Sequence, residues 1–246
     1  MIRLLASVRT AEEALIAEAG GADIIDLKEP AQGALGRLPD ATIRAILRAL
    51  AGRRMASATI GDMPLGSPTV PAAVRTVAAT GVDIVKLGIF AGDVAMTLAA
   101  LSQAARDGVR MVAVFFADRR PDFSIIARCA DAGFYGVMLD TADKSAGPLT
   151  RHLNARTLAE FINAARRERL FVGLAGSLGV ADLPALMPLA PDYLGFRSAL
   201  TTGRRAGPLD ADAVVRLRAA LDAAPLLRSA TATAGAQSAA IAAERG

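Results

Sequence analysis

Eight short runs of aliphatic and β-branched residues alternate along the chain with segments of helical period, and this alternation restricts the fold more than any other feature. The runs lie at residues 4–7, 23–26, 55–60, 84–87, 111–116, 136–139, 171–175 and 193–196. Strict alternation requires parallel strands joined by right-handed crossovers. Eight such units close into a barrel, and the 246 residues match the roughly 250 typical of that fold. We therefore predict a single-domain α/β protein, a (β/α)8 TIM barrel.

An open doubly wound sheet is the alternative arrangement of the same elements. Its nucleotide-binding forms carry a GxGxxG turn or a GxxxxGK[ST] loop, and neither motif occurs here, so the barrel is favoured. We place the barrel in residues 1–225. Residues 226–246 are rich in alanine, threonine and serine, which predicts a flexible low-complexity tail.

Several helix ends can be located from capping residues. Thr10 and Glu13 have the spacing of a capping box at the start of the first helix, and Gly20-Gly21 are expected to end it. Glycine also predicts the ends of the next four helices, at Gly52, Gly81, Gly108 and Gly133.

Composition and charge exclude several classes of protein. Aromatic residues make up 4% of the chain, tryptophan is absent, and the net charge is only +4 without a basic stripe, which argues against nucleic-acid binding. The sequence has no apolar segment of the length that a membrane span needs. Cys129 is the single cysteine and His152 the single histidine. We expect a cytoplasmic protein without a metal site, in which Cys129 is a packing residue and His152 a solvated loop residue.

The distribution of lysine points to a catalytic site. Of the 28 basic residues only Lys28, Lys86 and Lys144 are lysines, and each follows or ends a predicted strand, at the barrel face where active sites are built. An ammonium group can lose its proton and attack a carbonyl, whereas a guanidinium cannot. The non-catalytic alternative is that the three lysines are solvated loop residues paired with nearby carboxylates.

Two aspartates accompany these lysines. Period-two alternation places Asp26 and Lys28 on the same, inward face of the second strand, and a charge there needs a partner such as Lys28 or Lys86. Asp140 ends the sixth strand and begins a long polar loop that contains Lys144. Asp140 is predicted to orient Lys144 or to transfer a proton; the alternative is a loop cap. The loop itself is a candidate lid.

A phosphate site is predicted after the seventh and eighth strands. The seventh strand continues into a glycine-rich turn with Gly176 and Ser177, and the eighth into Gly195 and Arg197. The loops after these two strands commonly bind phosphate in this fold, through backbone N–H groups. Arg197 is the candidate bidentate clamp. The alternative is a pair of tight connections without a ligand.

Together these segments resemble the (5-formylfuran-3-yl)methyl phosphate synthase family. The resemblance rests on residues 26–30 (DLKEP), 33–36 (GALG), 85–88 (VKLG), 139–144 (LDTADK) and 173–177 (GLAGS), and it extends over about residues 1–225.

The resemblance implies a lyase of methanofuran biosynthesis that condenses two molecules of glyceraldehyde 3-phosphate, releases phosphate and water, and uses no cofactor. It also implies that Lys28 forms the Schiff base and that Lys86 accepts a proton. From the residues alone we infer only an amine-catalysed reaction on a phosphorylated carbonyl compound. A Schiff-base aldolase of another phosphosugar and a non-catalytic sugar-phosphate sensor are the alternatives. The expected partners are the phosphorylated substrate and, if the chain self-associates, further copies of itself.

Overall fold

The computed structural model describes residues 1–203 and 205–223, and eight parallel strands within them form a closed barrel. The strands are β1 Arg3–Val8, β2 Ile24–Leu27, β3 Met55–Thr59, β4 Ile84–Gly88, β5 Met111–Phe116, β6 Gly136–Asp140, β7 Phe171–Leu174 and β8 Tyr193–Phe196. Each strand pairs with its neighbours in sequence, and β1 pairs with β8. This last pairing confirms the predicted barrel and excludes the open sheet.

The helices of the described residues follow the strands in regular alternation. They are α1 Ala11–Ala19, α2 Asp40–Leu50, α3 Thr69–Ala78, α4 Val94–Arg106, α5 Ile125–Asp131, α6 Leu149–His152, α7 Ala155–Arg167, α8 Leu183–Leu186 and α9 at 211–223. None of these helices has both the length and the apolar character needed to cross a membrane. The predicted domain boundary at residue 225 and the tail at 226–246 lie outside the described residues.

The strands separate two apolar layers because successive side chains point to opposite faces. On β2, Ile25 and Leu27 point outward into the large core between barrel and helices, whereas Ile24 belongs to a smaller cluster inside the barrel. Asp26 therefore points inward. The helix ends follow the predicted pattern at Gly52, whose φ of 73° is the left-handed conformation that glycine adopts without strain.

The predicted capping box of α1 is only half formed. Thr10 accepts a hydrogen bond from the Glu13 N–H as expected (3.2 Å). The Glu13 carboxylate instead accepts the N–H of Arg9 (2.8 Å) and is 5% exposed. The same carboxylate also accepts hydrogen bonds from Arg197, a buried residue directly after β8.

Candidate active site

Asp26 lies at the centre of a hydrogen-bonded polar group inside the barrel. It is register-paired with Ser7 of β1 and Ser57 of β3, so the three side chains lie on the same face. The Ser7 hydroxyl donates to the Asp26 carboxylate at 3.0 Å and the Ser57 hydroxyl at 2.6 Å. Sequence reasoning missed both serines, although polar residues at inward positions of apolar strands were the available signal.

Lys86 forms an ion pair with Asp26 deep in the barrel. Its Nζ lies 2.6 Å from Asp26 Oδ1, and the residue is 2% exposed. The prediction that Lys86 ends its strand was wrong, since β4 continues to Gly88. The ammonium group is therefore held within the barrel rather than at its rim.

Lys28 immediately follows β2 and approaches Asp140, the last residue of β6. The Lys28 Nζ lies 3.8 Å from Asp140 Oδ2, and both side chains are buried. The pKa of Lys28 is lowered to about 8, chiefly by burial and also by the charges of Lys144 and Lys86, while the charges of Asp140 and Asp26 oppose the change. Lys28 is thus a buried amine that loses its proton far more readily than an exposed lysine.

The two carboxylates remain ionised because ammonium groups surround them. Burial alone would raise the pKa of each, but Lys86 and Lys28 hold the pKa of Asp26 below its ordinary value. Lys144 and Lys28 likewise hold the pKa of Asp140 at about 2. Three ammonium groups therefore surround two carboxylates, and the cluster has an excess positive charge that suits an anionic substrate.

Lys144 reaches back from the loop after β6 to that strand's end. Its ammonium group donates short hydrogen bonds to Asp140 and to the carbonyl of Thr141. Burial lowers the pKa of Lys144, while Asp140 opposes that effect. Asp140 thus contacts both Lys28 and Lys144, as expected of an orienting residue.

The loop that carries Lys144 is fixed by its neighbours. Asp118, which follows β5, accepts the N–H groups of Ala142 and Asp143 at 2.7 and 2.8 Å. On the other side, the carbonyl of Gly176 accepts the Leu149 N–H (2.9 Å).

The predicted phosphate-site residues line one small cavity together with the amines. Its walls include Lys28, Asp140, Lys144, Gly176, Ser177, Gly195, Arg197 and Arg205. Gly176 has a φ of 106°, and a Cβ there would lie 3.0 Å from the Thr141 side chain, so this close approach requires glycine. The Ser177 hydroxyl donates to the carbonyl of Lys144 at 3.2 Å. Asp26 and Lys86 lie deeper than this cavity.

Arg197 does not form the phosphate clamp predicted for it. Its guanidinium donates to both oxygens of the Glu13 carboxylate (2.6 and 3.1 Å) and to the carbonyls of Ser7, Arg205 and Gly207 (3.0, 2.9 and 2.7 Å). These bonds use all five N–H groups of a guanidinium. Arg197 is therefore a structural residue, whose hydrogen bonds link α1, β1 and the loop after β8.

Arg205 lies in the loop that Arg197 holds, and its side chain lines the cavity. Its Nη1 donates to the carbonyl of Pro30 (2.7 Å), so the loop after β8 is tied to the loop after β2. Its Nη2 is buried and bonds to no acceptor among the described residues. Sequence reasoning missed Arg205, because nothing in the local sequence distinguishes it from the other surface arginines.

The two singleton residues lie outside this site. Cys129 is buried in the outer core, and burial raises the pKa of its thiol to about 12, as expected of a packing residue. His152 ends the short helix α6 and is not fully solvated: its Nε2 is buried without a hydrogen-bond partner in the described part of the chain. Across residues 1–203 and 205–223, no three His, Cys, Asp or Glu side chains are grouped as a metal ion would require.

Comparisons with known proteins identify the family of this chain. The family model described as 4-HFC-P synthase matches residues 4–218. A protein of Methylorubrum extorquens that carries a provisional (5-formylfuran-3-yl)methyl phosphate synthase name is 44% identical over 224 residues, covering 91% of this chain and 93% of that protein. The (5-formylfuran-3-yl)methyl phosphate synthase of Methanopyrus kandleri is 37% identical over 209 residues, covering 80% and 88%.

The fold has wider relatives of low sequence identity. The crystal structure of phosphoribosyl anthranilate isomerase from Thermus thermophilus superposes with a TM-score of 0.67 at 18% identity, over 90% of this chain and 99% of that one. That likeness concerns the barrel alone. The family model and the two sequence relatives, which span nearly the whole barrel, show that this chain belongs to the 4-HFC-P synthase family.

Proposed function

We propose that this protein is a cytoplasmic lyase of methanofuran biosynthesis, which condenses two molecules of glyceraldehyde 3-phosphate into (5-formylfuran-3-yl)methyl phosphate. One phosphate and two waters are released, which balances the atoms without an oxidant or reductant. The observation that carries the proposal is the buried amine of Lys28, with its pKa near 8, in a cavity with two further cations, Lys144 and Arg205. The charges of this site suit an aldehyde that bears a phosphate.

Lys28 is the proposed nucleophile. With a pKa of about 8, about a tenth of the amine is neutral at pH 7, against about three parts in ten thousand at the ordinary value of 10.5. The neutral nitrogen adds to the aldehyde carbon to form a carbinolamine, and loss of water then gives the imine. The imine acidifies the adjacent C–H bond, so carbon–carbon bond formation can follow.

Lys86 is the proposed proton donor and acceptor. Its Nζ lies 2.6 Å from Asp26 Oδ1, and unlike a guanidinium an amine can both give and take a proton. In the proposed scheme it gives a proton to the leaving hydroxyl of the carbinolamine and then accepts the proton from carbon. Asp26, held by Ser7 and Ser57, positions Lys86 for both steps.

The remaining residues of the cavity are proposed to bind and orient the substrate. Lys144 and the Nη2 of Arg205, with Gly176, Ser177 and Gly195, would hold one phosphate beside Lys28. Asp140 contacts both Lys28 and Lys144 and would hold the two amines in position. Arg197 is a positioning residue in this scheme, since it acts through the loop that carries Arg205.

Incubation with glyceraldehyde 3-phosphate tests the proposal. We expect ultraviolet absorbance from a furan together with one phosphate released per furan. Borohydride should trap an adduct that peptide mapping places on Lys28, and a Lys28→Arg variant should form no adduct. Aldol cleavage without phosphate release would identify the aldolase alternative, and binding without any product the sensor; either result would reject the proposal.

Arg205 has a separate test because its role differs from that of Arg197. Arg205→Gln should raise KM about 10-fold to 100-fold, the effect of losing a charged hydrogen bond to phosphate, while trapping at saturating substrate persists. Arg167→Gln, an exposed arginine at the end of α7, is the matched control. An unchanged KM in Arg205→Gln would mean that the phosphate binds elsewhere.

A further inference from the structure

A second and larger cavity opens on the same face of the barrel as the lysine cluster. Its volume is about 640 Å³, and its lining includes Phe90, Phe116, Arg119 and Arg120, which follow or end β4 and β5. Phe116 is register-paired with Asp140 of β6, and neighbouring strands lie about 5 Å apart. This cavity, which we call the arginine cavity, therefore adjoins the catalytic cluster.

Two exposed guanidinium groups of the arginine cavity, those of Arg119 and Arg120, are open to an anion. Asp62 and Asp122 also line the cavity and keep their negative charge, but backbone N–H groups hold both carboxylates at 2.8–3.0 Å. Arg119 acts on Asp143 through its charge, yet within residues 1–203 and 205–223 neither guanidinium forms a hydrogen bond or an ion pair. The two arginines are therefore the groups of this cavity that can take up a ligand.

The position of these arginines is fixed relative to the lysine cluster. Asp118, directly before Arg119, binds the two successive N–H groups of Ala142 and Asp143, which lie on the loop that carries Lys144. The loop after β5 is therefore attached to the loop after β6. An anion bound by Arg119 and Arg120 would consequently lie beside the loop that carries Lys144.

The apolar wall of the cavity suits the carbon part of such a ligand. Phe90 and Phe116 lie against each other with ring centroids 4.7 Å apart, between the arginines and the barrel interior. Phe116 is 2% exposed. A ligand with an anionic end on the arginines and a short carbon chain along these rings would point its other end toward Asp140.

We propose that the arginine cavity is a second phosphate subsite, in which Arg119 and Arg120 hold the phosphate of the second triose phosphate. The inference rests on the proposed function, because a condensation of two phosphorylated molecules brings two phosphate dianions to one barrel mouth. Those dianions repel each other, so each needs its own cations. Lys144 and Arg205 serve the molecule bound to Lys28, and the arginine cavity serves its partner.

The double variant Arg119→Gln/Arg120→Gln tests the subsite. Its control is Arg54→Gln/Arg167→Gln, which removes the same charge from two exposed arginines that precede β3 and end α7, at the opposite face of the barrel. Inorganic phosphate is titrated into each protein by calorimetry. We expect two binding events in the wild type and control, and one in the Arg119/Arg120 variant.

Kinetics on the same three proteins separate this inference from the proposed function. The Arg119/Arg120 variant should raise the KM for furan formation about 10-fold or more, while borohydride trapping at Lys28 proceeds at the wild-type rate. Unchanged phosphate stoichiometry and unchanged KM would overturn the subsite and leave the proposed function standing. If the wild type forms no furan, the proposed function fails, and the phosphate titration alone decides whether the arginine cavity binds an anion.

Discussion

Replacing Lys28 with methionine should stabilise the protein at neutral pH although it removes the proposed nucleophile. The folded protein buries the Lys28 ammonium group, and burial lowers its pKa from 10.5 to about 8. A lysine pKa that is lower in the folded state means that the unfolded chain binds the proton more tightly. The proton therefore opposes folding at every pH below about 8, and methionine fills similar space without a charge.

The size of the effect follows from the two pKa values. The difference between 10.5 and about 8 corresponds to about 3 kcal/mol of lost stability at pH 7. Above pH 8 the folded protein releases the proton while the unfolded chain keeps it up to about pH 10.5, so the wild type regains stability as the pH rises. The advantage of Lys28→Met should fall by about 2 to 3 kcal/mol between pH 7 and pH 10.

Urea unfolding of both proteins at pH 7 and pH 10 measures this change. Other groups, such as the buried Tyr193 with its raised pKa, titrate in both proteins and largely cancel in the difference. Arg167→Met, at an exposed position, should differ from the wild type by no more than about 0.5 kcal/mol at either pH. A stability difference between Lys28→Met and wild type that does not change with pH would refute the assigned pKa of Lys28.

Three further predictions concern Lys86, Glu13 and Asp140. Lys86→Arg should keep the fold and still permit slow borohydride trapping at Lys28. It should lower the rate of furan formation about 100- to 10,000-fold, because a guanidinium cannot exchange its proton near neutral pH. Trapping and product formation are measured on one sample. Glu13→Gln should lower the free energy of unfolding by about 3 to 5 kcal/mol, since it leaves Arg197 buried without its carboxylate, as urea titration will measure. Asp140→Asn should move the midpoint of the pH profile for trapping from near 8 to about pH 5–7, because the Asp140 charge raises the pKa of Lys28.

Each of these variants has a control or a contradicting result. Near-normal turnover by Lys86→Arg would show that the position supplies charge rather than proton transfer. Glu12→Gln, the exposed neighbour of Glu13, should change stability little; a similar loss in both variants would contradict the role of the buried pair. Asp131→Asn, an exposed residue at the end of α5, should leave the trapping midpoint in place, and a rise of the midpoint in Asp140→Asn would contradict the sign of its effect.

The barrel and the face on which Lys28, Asp140 and Lys144 gather followed from local patterns. The alternation of apolar runs with helical segments is visible in consecutive residues, and right-handed crossovers leave few ways to join eight parallel strands. Period-two alternation also predicted that Asp26 points into the barrel, and the predicted strand ends placed Lys28, Asp140 and Lys144 on one face. These predictions depend on spacing along a single strand or loop.

Only the tertiary structure decided which side chains meet. Glu13 and Arg197 form a buried pair although 184 residues separate them, so the N–H groups of Arg197 are used within the protein, and Arg205 keeps an Nη2 without an acceptor in the described residues. The ammonium group of Lys28 becomes easy to deprotonate only when closure of the barrel removes its water. A hydrogen bond or a desolvated charge requires atoms within about 3–4 Å, and the local pattern determines the face on which a residue lies but not the distant element that will contact it there.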